Sequence, residues 1–185
     1  MRKLWMICIL ASSLCSLCEA QPKMREVFLQ MPDSLIPYLT ENNRLDFIDF
    51  VDSGMKSVVI NELGGKSEMV SLTDSTLVLQ VSPVMRIDMH LMPVREPIDS
   101  CNQVVCVLTT CGDMAPESKV EVYSVHWTSL EVSRYMDLPD EPYVADMVSS
   151  PSLGIHFRQM TALDPIAYEE QKKEQSWLKI IEWKQ

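Results

Sequence analysis

Glycine is scarce: the 185-residue chain has 5, and no stretch is of low complexity. That excludes a collagen-like repeat or a long flexible linker, both of which distort composition far more. Basic charge is also short, with 16 Lys and Arg against 26 Asp and Glu for a formal net charge of -10. A nucleic-acid partner requires a cationic surface to neutralise phosphates, so this balance argues against one. Histidine occurs three times and aromatic residues make up 7%. What remains, 46% hydrophobic and 23% charged, is the composition of an ordinary globular chain.

The sharpest signal lies at the start. Arg2 and Lys3 precede an apolar stretch from Leu4 to Leu10 that runs on through Ala11 to Leu17, followed by Cys18-Glu19-Ala20 and then Gln21. A basic start, an apolar core shorter than a bilayer span and a small residue at the end are the parts of a secretory signal peptide. Residues 1–20 are therefore expected to be removed after Ala20. Lipoprotein processing fits less well, because Leu14 precedes Cys15 and Leu17 precedes Cys18 where a small residue is needed. Loss of Arg2, Lys3 and Glu19 takes the 16 basic and 26 acidic residues to 14 and 25, a net charge of -11. The mature chain has no second run of transmembrane length, and its expected location is the periplasm, the cell surface or the exterior.

Three cysteines leave with the signal, and Cys101, Cys106 and Cys111 remain, spaced five apart. Within one extended strand each gap is roughly 16 Å, beyond the ~5.5 Å between Cα atoms that a disulfide spans. Mostly unbridged, buried thiols are expected, and structural zinc sites favour closely spaced pairs over this pattern.

Hydrophobic periodicity supplies the fold. Met31 to Leu39 carries Pro32 and Pro37 and holds at most a turn of helix. Asn42 to Gly54 reads as a helix with Asn43 as N-cap, Asp46 near its positive end and Gly54 as the residue that closes it. Leu45, Phe47, Ile48, Phe50, Val51 and Met55 form its buried arc, with Asp46, Asp49 and Asp52 on the wet side. Met55, Val59 and Leu63 recur every fourth residue and suggest a second short helix, although Val58-Val59-Ile60 also suits a strand. From Lys66 the period becomes two. Leu77, Leu79 and Val81 share a face, as do Met85, Ile87, Met89 and Leu91, opposite Arg86, Asp88 and His90. Pro93 to Ser100 reads as a linker, Gln103 to Thr110 as a central strand apolar on both faces, and Gly112 to Glu117 as the turn into Ser118 to Trp127. Leu130 to Ser152 is a looser section suited to wrapping a sheet edge. Gly154 to Leu163 and Trp177 to Trp183 form a last strand pair joined by the charged run Glu169 to Glu174. The expected fold is α+β, a single domain over residues 21–185: two N-terminal helices packed on one face of a six- or seven-stranded, mainly antiparallel sheet.

No constellation commits the chain to chemistry, and no catalytic, cofactor-binding or metal-binding residue is assigned. His90, His126 and His156 fall in separate strands without a close pair, and a dyad of Cys106 or Cys111 with one of them lacks any protease signature around the thiol. Asp46, Asp49 and Asp52 line a solvated helix face without the loop of a calcium site. Leu63-Gly64-Gly65-Lys66-Ser67 has Val59 where a phosphate loop needs its first glycine, and reads as a helix stop. Trp127, Trp177 and Trp183 suit core packing better than a sugar platform.

Met31-Pro32-Asp33-Ser34-Leu35, Tyr38-Leu39, Asn42 to Phe50 and Leu63 to Ser67, with Val105-Cys106-Val107, Cys111-Gly112, Ala115 to Ser118 and Tyr123 to Leu130, resemble an uncharacterised secreted family of Bacteroidales bacteria, domain-of-unknown-function family 3256. The resemblance implies export and one domain, without an activity or a cofactor. It also implies O-glycosylation signals at Asp33-Ser34-Leu35 and Asp74-Ser75-Thr76. The expectation is a non-enzymatic binding or assembly protein whose partner is another exported protein or a glycan. The alternatives are a secreted hydrolase, which needs its thiol, imidazole or carboxylate groups in one cleft, and a glycan-binding module built on the tryptophans.

Overall fold

The structure, a computed structural model, describes residues 21–36, 38–114, 116–140, 142–149, 152–157 and 179–184. Residues 1–20, expected to be a signal peptide, Trp177 and the charged run from Glu169 lie outside the described residues.

Two helices open the fold. Helix α1 (Met24–Leu29) buries Met24, Val27 and Phe28, and its Glu26 carboxylate accepts the Lys23 N–H at 3.0 Å. Helix α2 (Glu41–Asp52) starts three residues earlier than an Asn43 N-cap would place it. Thr40 is the N-cap: its Oγ1 accepts from Asn43 N at 3.3 Å, while Asn43 Oδ1 accepts from Thr40 N at 3.2 Å. This reciprocal pair satisfies two N–H groups that a helix start leaves without partners. Gly54, at φ +66, closes the helix after Ser53 as the pattern required. The buried stripe is narrower than the apolar arc in the sequence. Arg44, Phe47 and Ile48 are buried, whereas Leu45 and Met55 are exposed.

The second of the two helices is thus α1, upstream of the proline-rich turn, and not the Met55 to Leu63 segment. There the β-branched run forms strand β1 (Val58–Ile60). It begins a meander of seven antiparallel strands in chain order: β2 (Lys66–Leu72), β3 (Thr76–Ser82), β4 (Met85–Ile98), β5 (Cys101–Cys111), β6 (Glu117–Ser124) and β7 (Ser129–Leu130). Pro93 to Ser100 is not a linker. Strand β4 continues through it to Ile98, which pairs with Cys101 across a two-residue turn. Asp99 and Ser100 both have positive φ, 51° and 66°, the geometry that tight hairpins require. The prolines are tolerated because β3 pairs only as far as His90, so β4 beyond it has a ladder on one side.

The section from Leu130 to Ser152 is more ordered than its composition suggested. It holds a 3-10 turn (Val132–Arg134) and strand β8 (Tyr143–Ser149), which joins β9 (Ser152–Phe157) and β10 (Lys179–Glu182) in a second antiparallel sheet ordered β10-β9-β8. The expected last strand pair is present as β9 and β10, but it belongs to this second sheet.

Three layers result. Val105 and Val107 of β5 face the helices, together with Leu77, Leu79, Ile87 and Met89 and with Phe28 and Phe47. Val104, Cys106 and Leu108 face the other way, against Tyr143, Ala145, Ile181 and Trp183 from the second sheet and its flank. Polar ties fix that contact: Ala145 N donates to Ser118 Oγ at 3.0 Å and Trp183 Nε1 to the Pro93 carbonyl at 2.8 Å. Trp183 also stacks on Tyr135, ring centroids 5.0 Å apart.

One charge is sealed into the helical layer. Arg44 is 3% exposed, and its Nη1 donates to Asp33 Oδ1 at 2.7 Å and to the Leu39 carbonyl at 3.0 Å, clamping the proline-rich turn onto α2. Its Nε has no partner among the described residues. Removing Asp33 strands a buried cation, whereas replacing Arg44 by an apolar chain removes the demand. Asp33→Ala is therefore expected to cost roughly 1–3 kcal/mol and Arg44→Met less, measured by urea unfolding. In the same assay Leu108→Ala, which empties space between two sheets, costs roughly 2–5 kcal/mol.

Candidate functional site

Cross-strand register brings one histidine and one cysteine together. His90 of β4 lies directly opposite Cys106 of β5. The pair is not a nucleophile and its base. Cys106 is fully buried and desolvation pushes its thiol up to about 12, so the reactive thiolate is absent at neutral pH. Burial also lowers the pKa of half-buried His90, against the opposing pull of Asp88. Asp88 is held by Arg86 through two hydrogen bonds of 2.8 Å, Nε to Oδ2 and Nη2 to Oδ1. Cys111 sits exposed at the far end of β5, opposite Met85 and Glu117.

His126 lies outside any strand, exposed in the turn after β6, and His156 sits on β9 opposite Val144. His126 shares a cavity of about 230 Å³ with Cys101, Asp99, Glu26 and Gln30, floored by Val27 and Val125. This cavity is where a thiol, an imidazole and carboxylates share one lining. Sequence spacing gave no hint of it, since the β4–β5 hairpin, α1 and the turn after β6 each contribute. Among the described residues no group of three or more His, Cys, Asp and Glu side chains is placed to hold a metal.

The remaining motifs have structural roles. Asp46, Asp49 and Asp52 are exposed on α2, and Asp52 pairs with Arg25, which holds its carboxyl below the usual range. Gly64-Gly65 is the β1–β2 hairpin turn, not a helix stop. Asn61 Oδ1 accepts from Leu63 N at 3.1 Å and Gly65 N at 3.0 Å, while its Nδ2 donates to Ser67 Oγ at 3.0 Å. Ser67 is buried and bonds the Val81 carbonyl, so no phosphate cradle forms there. Trp127 is buried and its Nε1 donates to the Val27 carbonyl at 2.9 Å; Trp183 is buried between the sheets. Ser34 and Ser75 are both exposed in turns.

A surface feature went unread in the sequence. Val58, Ile60 and Val78 alternate with the buried Val59, Leu77 and Leu79, so they lie on the face of the sheet turned away from the helices. The second sheet packs against β5 and β6. Ile60 is 59% exposed, Leu63 in the adjoining turn 75%, and Val70, the extra residue of a bulge in β2, 54%. The signal was available in Val58-Val59-Ile60, which suited a strand, and in Val78 at an outward position of a strand read as half-buried.

Cys106 sets a test of this arrangement. Its pKa is raised from an ordinary value of 9.0 to about 12, so above pH 9 the unfolded chain ionises first. Stability from this group is full below pH 9 and falls as pH rises toward 12. Tyr123, also pushed up to about 12 by burial and by Glu121, adds in the same direction. Denaturation midpoints measured against pH are expected to drop across that range, with a shallower slope in Cys106→Ala. A thiol reagent at neutral pH is expected to label Cys111 in the native protein and Cys106 only after unfolding.

Comparison with known proteins bears on the fold. The chain is similar to a solved structure described as a domain of an uncharacterized protein from Porphyromonas gingivalis W83, with a TM-score of 0.66 and 20% sequence identity over 88% of this chain and 96% of that one. At that identity the likeness shows a shared fold. No curated protein matches. The family model described as "Protein of unknown function (DUF3256)" matches residues 16–178, and the chain, most of which that match spans, belongs to this family.

Proposed function

We propose that the mature chain is an exported, periplasmic or surface-associated protein that acts by binding another exported protein on the outer face of β1–β3. The observation that carries this reading is the set of exposed aliphatic side chains Ile60, Leu63 and Val70 at the β1–β2 edge of the sheet, set among Lys66, Glu68 and Gln80. Exposed apolar side chains rimmed by polar ones are a mark of interaction sites. Its side chains are aliphatic, and Trp127 and Trp183 are buried, which favours a protein over a sugar. A formal charge of -11 on the mature chain disfavours a second acidic copy and favours a neutral or basic partner. The exported location follows from residues 1–20, read as a signal peptide.

The test is site-specific photo-crosslinking at Leu63 and Val70 in the native cells, with the adducts identified by mass spectrometry. One stoichiometric partner is expected, and Ile60→Asp is expected to weaken its affinity at least about tenfold while Leu45→Asp, on α2, leaves it unchanged. Recovery of the chain alone, or a partner indifferent to Ile60→Asp, would overturn the proposal.

A second reading, a secreted hydrolase, is favoured by the cavity that Cys101 and His126 share with Asp99 and Glu26. It requires that His126→Ala slow alkylation of Cys101 in the folded protein, read by peptide mass. An unchanged rate removes it.

A further inference from the structure

Strand β1 is an edge of the first sheet, and the phase of its backbone follows from its neighbours. Ser57 O accepts from Met69 N at 2.9 Å and Asn61 N donates to Gly65 O at 2.8 Å, with Val59 opposite Ser67 between them. Bonding alternates in an antiparallel pair, so Val59 turns its N–H and carbonyl toward β2 while Val58 and Ile60 turn theirs outward. Part of this edge is already taken. Asn43 Nδ2 donates to the Ile60 carbonyl at 3.2 Å, and Glu62 N donates to the Tyr38 carbonyl at 3.0 Å. The Val58 N–H, the Val58 carbonyl and the Ile60 N–H have no partner among the described residues. Native sheets blunt such edges with proline, bulges or charged side chains, and Val58–Ile60 contains none of these. The opposite edge, β7, is two residues long and runs into the 3-10 turn.

Helix α2 runs antiparallel to the free edge, tied by Asn43 at Ile60 and by the Phe47 carbonyl, which accepts from Ser57 Oγ at 2.9 Å. Asp46 lies between these two ties, on the side of the helix that Asn43 occupies one turn earlier, and so sits level with Val58. It is exposed, and its carboxylate has no ion pair among the described residues, whereas Asp52 is paired with Arg25 and Lys56 with Glu68. The edge is thus flanked by an uncompensated negative charge on the helix side and by Val58 and Ile60 on the outer face.

We infer that the partner docks by strand addition, laying an extended segment beside β1 that pairs its backbone with Val58 and Ile60. The inference rests on the reading of the β1–β2 edge as a protein-binding surface. Outward N–H and carbonyl groups on alternate residues of a strand call for another extended backbone, which neither a sugar nor a lipid presents. Period two then divides the side chains of the added segment. Those on the outer face meet Val58 and Ile60 and are apolar, and those on the helix face meet Asp46 and include a lysine or arginine. A second copy of this chain is disfavoured, because pairing β1 with β1 sets two Asp46 carboxylates over one short ladder and brings together two chains of formal charge -10.

A photoreactive residue at Leu63 of the full chain, produced in its native cells, reports docking as the yield of adduct. Val58→Pro removes one outward N–H and sets a ring on the edge without touching the β2 ladder, so the urea midpoint of the free chain is expected to hold while adduct yield falls at least about tenfold. Asp46→Lys and Asp49→Lys change the net charge equally, and only the first is expected to lower the yield. In the purified wild-type adduct the Val58 and Ile60 amides are expected to exchange hydrogen more slowly than in the free chain. An adduct that survives Val58→Pro but not Ile60→Asp overturns strand addition and leaves the protein-binding reading standing. Should Val58→Pro lower the urea midpoint, the wild-type adduct decides, and unprotected Val58 and Ile60 amides overturn the inference. Equal yields from the two lysine variants overturn the basic side chain assigned to the segment. No adduct in the wild type, or one that joins two copies of the chain, overturns both readings.

Discussion

Strand β5 cannot be satisfied by one covering layer. Val104, Val105, Cys106, Val107 and Leu108 are consecutive and buried, so both faces of the sheet must be dry at this point. The helices dry one face and the second sheet dries the other. Much else follows from that demand. Strand β8 lies across β5 and β6, Trp183 reaches back to the Pro93 carbonyl, and at the other edge of the sheet Ile60 stays exposed. The same burial that makes β5 a strong core element makes Cys106 chemically quiet.

Period-two alternation made the middle of the fold legible. Thr76 to Ser82 has the bounds of β3, with Leu77, Leu79 and Val81 all buried, and the start of β4, the doubly buried β5 and the Gly112 turn stand where the pattern put them. Legibility failed where local and tertiary signals compete. Pro93 and Pro97 argue against a strand, yet a one-sided ladder admits them. Asn43 is a good N-cap in isolation, but Thr40 and Asn43 together form a better start. A stretch as short as Met24–Leu29 offers too few turns for its periodicity to stand out, and its stability comes from the sheet beneath it.

The candidate sites were less visible than the fold, for a physical reason. The cavity at Cys101 and His126 is assembled from a hairpin turn, a helix and a second turn, so no window of sequence contains it. The pairing of His90 with Cys106 depends on register, which is set by hairpin geometry some residues away. The second sheet was hidden in the same way, since its strand β8 falls in the section that composition marked as loose. Asn61 illustrates the same limit on a smaller scale. As one more polar residue beside a glycine pair it carries no signal, yet it organises the β1–β2 turn with bonds in both directions.

The bond from Trp127 Nε1 to the Val27 carbonyl spans 100 residues of chain. Strands β1–β7 each pair with the next, so the meander can grow hairpin by hairpin through local contacts, which favours rapid formation. Helix α1 has no such local partner on the sheet. In a chain made from its N-terminus, Val27 and Phe28 arrive first and Trp127, in the turn after β6, follows a hundred residues later. The layer is therefore complete only once the turn after β6 has arrived, and the interval before that is when its apolar side chains are most open to wrong partners.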